Sequence, residues 1–141
     1  MKITVTTGES KWSDFETKAW AKADTEHYGE PLDWVKKEFI ITAKDENGKQ
    51  IGASRMNIEV GVCFIETIIV DDSRRGMGIG KQLLQKAEQV ATDNGAHKIY
   101  LKTGKAWEAV VFYEKQGYVV TAQLPNHYFH TDFVEMTKFL T

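Results

Sequence analysis

The chain has 141 residues, 42% of them apolar and 27% charged, which is ordinary for a soluble globular protein and leaves no low-complexity tract. Its net charge of −2 argues against a nucleic-acid binder that works by bulk positive charge, and no apolar stretch approaches the ~20 residues of a membrane span. The length fits a single domain, residues 1–141, able to bury about 70% of its unfolded surface.

The opening "MKITVTT" alternates Ile3 and Val5 with polar residues and predicts a half-buried strand; it has no apolar core of signal-peptide length. Trp12, Phe15, Ala19 and Trp20 then recur at helical spacing behind a Ser13 cap, with Gly29 and Pro31 closing the helix. "KEFIITAKDENGKQIGASRMNIEV" predicts a hairpin, because two β-rich runs flank Asn47-Gly48. "GVCFIETIIV" predicts a central strand. Its Cys63 is the single cysteine, which excludes an internal disulfide, reads as a buried structural thiol and fits a reducing, cytoplasmic setting.

From Ile79, the residues Leu83, Leu84, Ala87, Val90 and Ala91 mark one face of a helix, with Gly95 where a C-terminal cap belongs. "HKIYLKT" predicts a strand, "AWEAVVFYEKQ" a short helix, "YVVTAQ" a strand opened by Gly117, and Pro125-Asn126 a turn. "YFHTDFVEMTKFL" predicts the last strand. The order is that of an α/β fold with a mixed sheet and a parallel crossover around the segment "SRRGMGIGK".

That segment places Gly76, Gly78 and Gly80 between a strand and a helix, with Arg74, Arg75 and Lys81 around them. The first turn of a helix offers unpaired N–H groups, and glycines let an anion approach them closely. The loop suits a pyrophosphate. A Walker loop is excluded because Arg75 replaces its first glycine and Gln82 its hydroxyl, and a dinucleotide fingerprint fails at Lys81 or Leu83.

What fits is Arg-x-x-Gly-x-Gly, as Arg75, Gly78 and Gly80. "IETIIVDDSRRGMGIGKQLL" resembles the acetyl-coenzyme A loop of the GNAT superfamily of N-acetyltransferases, and "AVVFYEKQGY" resembles that family's Ala-x-x-Phe-Tyr-x-Lys-x-Gly-aromatic segment. The resemblance implies a mixed, mostly antiparallel central sheet with helices on both faces and a splayed parallel strand pair around the glycine loop. It implies direct transfer of an acetyl group from acetyl-coenzyme A to the amine of a small molecule or protein. The alternative from another class is a non-catalytic coenzyme A-binding sensor, which would have no use for the matched acid and tyrosine below.

Residue by residue, the resemblance puts Arg75, Gly76, Met77, Gly78, Ile79, Gly80 and Lys81 on the pyrophosphate. It puts Ile68, Ile69 and Val70 on the pantetheine arm and the oxyanion. Glu66, the only acid in "VCFIETIIV", becomes the base that takes the amine proton; the other reading is a solvent-facing strand residue. Tyr113 becomes the cofactor-contacting acid that protonates the leaving thiolate; the other reading is a core aromatic. Ala106 stands where the family often has an asparagine, so one pantetheine contact is missing or falls to Lys105 or Trp107. The identity of the acceptor and the oligomeric state, a homodimer among the options, stay open.

Other groupings carry less. His127 and His130, three apart on a predicted strand, would point to opposite faces, and no metal site is expected. Asp71-Asp72 read as turn residues. Trp12, Trp20, Tyr28 and Trp34 read either as packing aromatics or as a wall of the acceptor pocket with Glu26 or Glu30.

Overall fold

The structure, a computed structural model, describes residues 2–140. They form two compact units, residues 2–33 and 34–140.

In the first unit, helix α1 spans Asp14–Tyr28. A capping box starts it: Ser13 Oγ accepts from the Glu16 N–H, and the Glu16 carboxylate accepts from the Ser13 N–H. Gly29 ends it in the left-handed conformation, φ 87°, donating its N–H to Thr25 O. The strand predicted at the N-terminus does not form among the described residues: residues 2–9 carry no regular structure, and Ile3 and Val5 stay exposed. Met1 of that segment lies outside the described residues. Alternation alone does not make a strand; a ladder partner must satisfy the backbone. Trp12, Phe15 and Trp20 are likewise exposed, so their helical spacing marks no buried stripe.

The second unit holds one sheet of strands β1 (Lys37–Lys44), β2 (Gln50–Glu59), β3 (Val62–Val70), β4 (Lys98–Gly104), β5 (Val119–Leu124) and β6 (Phe133–Phe139), in spatial order β1-β2-β3-β4-β6-β5. Among the described residues only β3 and β4 pair in parallel; α2 (Ile79–Asp93) is their crossover. A shorter helix, α3 (Ala109–Lys115), joins β4 to β5. The Asp45–Gly48 turn closes the predicted hairpin, with Gly48 at φ 79°. One predicted segment shortens: Tyr128–His130 is a 3-10 turn, so the last strand starts at Phe133.

The core lies where α2 meets the sheet. Leu83, Leu84, Ala87 and Ala91 pack with Met56, Ile58, Cys63, Ile65, Ile99 and Met136, as the helical spacing predicted. Burying Leu84 contributes about 1.5–3 kcal/mol. Cys63 is fully buried 3.7 Å from Met56 Sδ, and burial pushes its thiol pKa up to about 12, as befits an inert core residue. Beside the core, Glu88 of α2 accepts from Tyr118 Oη at 2.9 Å and from Lys138 Nζ at 3.0 Å, tying α2 to β6 and the exit of α3. No helix of the described residues is long and apolar enough to cross a membrane.

Candidate active site

The site begins where the parallel pair fails. β3 and β4 pair at Val62↔Lys98, Cys63↔Ile99 and Phe64↔Tyr100, and there the pairing ends, while β3 stays bonded to β2 as far as Val70↔Gly52. Backbone groups of Ile68–Val70 that point away from β2 therefore lack a strand partner on β4. The register shift at Arg55/Met56 leaves Glu66 opposite no residue of β2. Such a bulge raises local twist and re-aims its side chain, so it turns the strand at the point of divergence.

A groove of about 900 Å³ opens below the divergence. Ile68, Ile69 and Val70 form one wall, and Tyr113 and Phe112 of α3 another. Arg75, Gly76, Gly78, Ile79, Gly80 and Lys81 form its floor at the start of α2. Gly76 and Gly78 sit at φ 80° and 78°, in the left-handed region, with no atom within 4 Å of where a Cβ would stand. Gly78 caps α2 without any side-chain hydrogen bond, and the first helical bond runs from the Gln82 N–H to Gly78 O. The N–H groups of Ile79, Gly80 and Lys81 thus have no acceptor inside the helix and carry its partial positive charge. Arg74, Arg75, Lys81 and Lys115 line the groove against Glu108 alone, an excess of positive charge suited to a polyanion.

Two of these cations are anchored. Arg74 Nη2 lies 3.2 Å from Asp45 Oδ2, and Arg75 Nη2 lies 2.8 Å from Asp72 Oδ1. Asp71 accepts from the Ser73 N–H and hydroxyl, and the Ser73 hydroxyl in particular holds its carboxyl below the usual range. These acids brace the loop rather than face the groove.

Of the residues singled out in the sequence, Ile68, Ile69, Val70, Arg75, Gly76, Gly78, Ile79, Gly80, Lys81 and Tyr113 come together around this groove, whereas Met77 and Glu66 are outside its lining. Met77 is 64% exposed. Glu66, two residues before Ile68, accepts a 2.7 Å hydrogen bond from Asn57 Nδ2. Tyr113 is buried, its ring edge-on to Tyr118 at 5.9 Å, and burial pushes its phenol up to about 12. Neither Lys105 nor Trp107 lines the groove; Trp107 packs over Gly104 against Phe133, centroids 5.2 Å apart.

Sequence reasoning missed Asn57, whose only signal is an amide between the apolar Met56 and Ile58. It also missed the groove-facing side of α3: Glu108, Val111, Phe112 and Lys115, at spacings of three, four and seven, were legible as one helical stripe. His127 and His130 lie on a turn rather than the predicted strand, and His130 Nδ1 meets Asn126 Oδ1 at 2.9 Å. No cluster of three or more metal-ligating side chains occurs among the described residues.

Comparison with known proteins matches this geometry. The model of the family described as "Acetyltransferase (GNAT) family" matches residues 8–118. The uncharacterized N-acetyltransferase YjcF of Bacillus subtilis is 31% identical over 94 residues, covering 67% of this chain and 66% of its own. The glucosamine 6-phosphate N-acetyltransferase of Trypanosoma brucei brucei is 30% identical over 78 residues, covering 50% of this chain and 52% of its own. The chain thus spans from about half to two thirds of the length of the curated relatives it matches. A crystal structure of an acetyltransferase from Bacillus cereus has the same fold, with TM-score 0.69 and 23% identity, covering 94% of this chain and 97% of that one.

Proposed function

The chain belongs to the GNAT acetyltransferase family, and on that premise we propose that it moves an acetyl group from acetyl-coenzyme A directly to an amine of a small molecule or protein, with residues 1–141 acting as one N-acetyltransferase domain. Members of the family use acetyl-coenzyme A or another acyl-coenzyme A as donor. The observation that carries the reading is the coincidence of two features: a parallel pair that stops at Phe64↔Tyr100, and an uncapped helix start with open glycines facing the same groove.

The residues present fit the donor. The free N–H groups of Ile79, Gly80 and Lys81, with Arg75 and Lys81 nearby, suit a pyrophosphate. The unpaired edge of Ile68–Val70 offers backbone groups to the amide-bearing pantetheine arm, and one N–H there stabilises the oxyanion.

Glu66 takes the proton that an alkyl amine, with a pKa of about 10, carries at neutral pH. As the new N–C bond forms and the C–S bond breaks, the sulfur leaves with the electron pair of that bond. Tyr113 stands on the groove wall with its proton held firmly, since a phenol at about 12 does not ionise at neutral pH. Against an ordinary thiol pKa of ~8.5, full transfer is uphill by roughly 3–4 units, or about 5 kcal/mol. Tyr113 therefore works first as a hydrogen-bond donor to the developing thiolate, and gives up the proton only while the sulfur is desolvated.

Release of free thiol from acetyl-coenzyme A, followed with and without added amines, tests the reading. Amine-dependent release and an acetylated amine by mass spectrometry are expected. Tight coenzyme binding with no turnover of any amine would instead point to a binding module.

A further inference from the structure

Beyond Phe64↔Tyr100 the two parallel strands diverge, and the next residues on that face are Glu66 on β3 and Lys102 on β4. Asn57, the register partner of Phe64, holds Glu66, which places Glu66 on the Phe64 side of the sheet. Lys102 is two residues past Tyr100 and its ammonium lies 5.4 Å from the centroid of the Phe64 ring. A carboxylate and an ammonium therefore stand on the same face of the two diverging strands.

Lys102 is unusual in what it lacks. Its direct partner on β6 is Glu135, yet the Glu135 carboxylate accepts from Thr121 Oγ1 at 2.8 Å and forms no ion pair with Lys102 among the described residues. The half-buried ammonium is framed instead by two rings, Phe64 and, at 5.9 Å, Tyr128. Aromatic faces compensate only part of the hydration a cation loses, so a partly buried lysine with no ion pair is suited to receive an anion.

The second ring is held there by a costly turn. Asn126, Phe129 and His130 have φ of 49°, 50° and 57°, a conformation non-glycine residues rarely adopt. Asp132 Oδ1 accepts from the Asn126 N–H at 2.9 Å, and the Tyr128 ring lies tilted against His127, centroids 4.2 Å apart. The buried His127 Nε2 beside it has no hydrogen-bond partner among the described residues.

We propose that the acceptor carries an anionic group, a carboxylate or a phosphate, a few bonds from its amine, and that Lys102, framed by Phe64 and Tyr128, binds that group while Glu66 faces the amine. The proposal rests on the acyl-transfer reading and narrows its substrate class: a zwitterion complements these two charges, and a polyamine would place a positive charge against Lys102. Paired strands are ~4.8 Å apart and these have begun to separate, so the two charges of the acceptor must bridge at least that span.

The test compares amines that differ in one anion: β-alanine with propylamine, phosphoethanolamine with ethanolamine, and spermidine as the polycation. Thiol release should favour the anionic member of each pair by about tenfold or more in kcat/KM, the scale of a charge-assisted hydrogen bond. The two pairs distinguish carboxylate from phosphate. Lys102→Gln should lower the anionic member at least fivefold more than its match, through KM, and Lys102→Arg should restore the preference. Equal loss for all amines, or a preference for spermidine, would overturn the proposal. If no amine is turned over, the acyl-transfer reading fails, and binding of the same pairs to coenzyme-saturated protein decides separately. Tighter binding of the anionic member that Lys102→Gln abolishes upholds the site; equal binding overturns it.

Discussion

Asn57 Nδ2 and Glu66 Oε1 stand 2.7 Å apart, so a nearly buried amide on β2 fixes the carboxylate that the β3 bulge turns out at the mouth of the strand divergence. An exposed glutamate would otherwise sample several rotamers. The amide selects one and donates to the ionised form.

The first prediction follows from that pair. Glu66→Gln should lower kcat at pH 7 and recover in part as rising pH deprotonates the amine unaided. Asn57→Ala should lower kcat by roughly 5- to 30-fold with the base still present, since one hydrogen bond of about 1–2 kcal/mol is lost. A pH–rate profile for each variant checks this. Parent-like profiles would leave Glu66 a surface residue and assign the proton to water.

Tyr113→Phe keeps the ring that packs on Tyr118 and removes one hydroxyl at the groove wall. Turnover should fall by roughly 10- to 1,000-fold, about the reach of one acid–base group, with coenzyme affinity nearly unchanged. Steady-state kinetics and calorimetry separate the outcomes. Activity within twofold of the parent would give the thiolate proton to solvent.

Gly78→Val forces a β-branched residue into φ 78° and puts a side chain into open space at the groove floor. The backbone strain of ~1–2 kcal/mol should lower Tm by roughly 3–10 °C, whereas coenzyme affinity should fall more than tenfold. Gly80→Ala is the contrast: its Cβ would meet Phe112 Cζ at 3.5 Å, an ordinary contact, and the protein should fold and melt much as the parent does. Thermal melts with parallel coenzyme titrations measure both.

Asp45 braces the loop from outside through Arg74, and its carboxyl is held below the ordinary range first by the Lys49 N–H, then by the Asn47 N–H and Arg74. A depressed folded-state pKa contributes stability above the unfolded value near ~3.9 and loses it as pH falls through the folded value. Asp45→Asn should therefore melt below the parent at pH 6, with the gap closing as pH drops below about 4. A gap independent of pH would assign the effect to turn geometry alone.

Local chemistry made much of this readable. Asn47-Gly48 announces its turn, Ser13 its cap, and the spacing of Leu83, Leu84, Ala87 and Ala91 a helix that buries one face. The glycine loop was legible because φ near +80° at Gly76 and Gly78 favours glycine. What stayed hidden depends on partners distant in sequence. Ile3 and Val5 alternate as a strand would, but a strand is a pairing, not a pattern. Asn57 and Glu66 are nine positions apart and meet only through the β2–β3 register. The groove face of α3 shows its period in the sequence but not which way it turns.

We propose that the groove floored by the start of α2 and walled by Ile68–Val70 receives coenzyme A. The most direct measurement is an amide NMR titration with coenzyme A. Saturable shifts should concentrate at Gly76–Lys81 and Ile68–Val70, with the Ile79, Gly80 and Lys81 amides moving downfield as they gain an acceptor. Shifts confined to other parts of the chain, or none at millimolar coenzyme, would contradict the account.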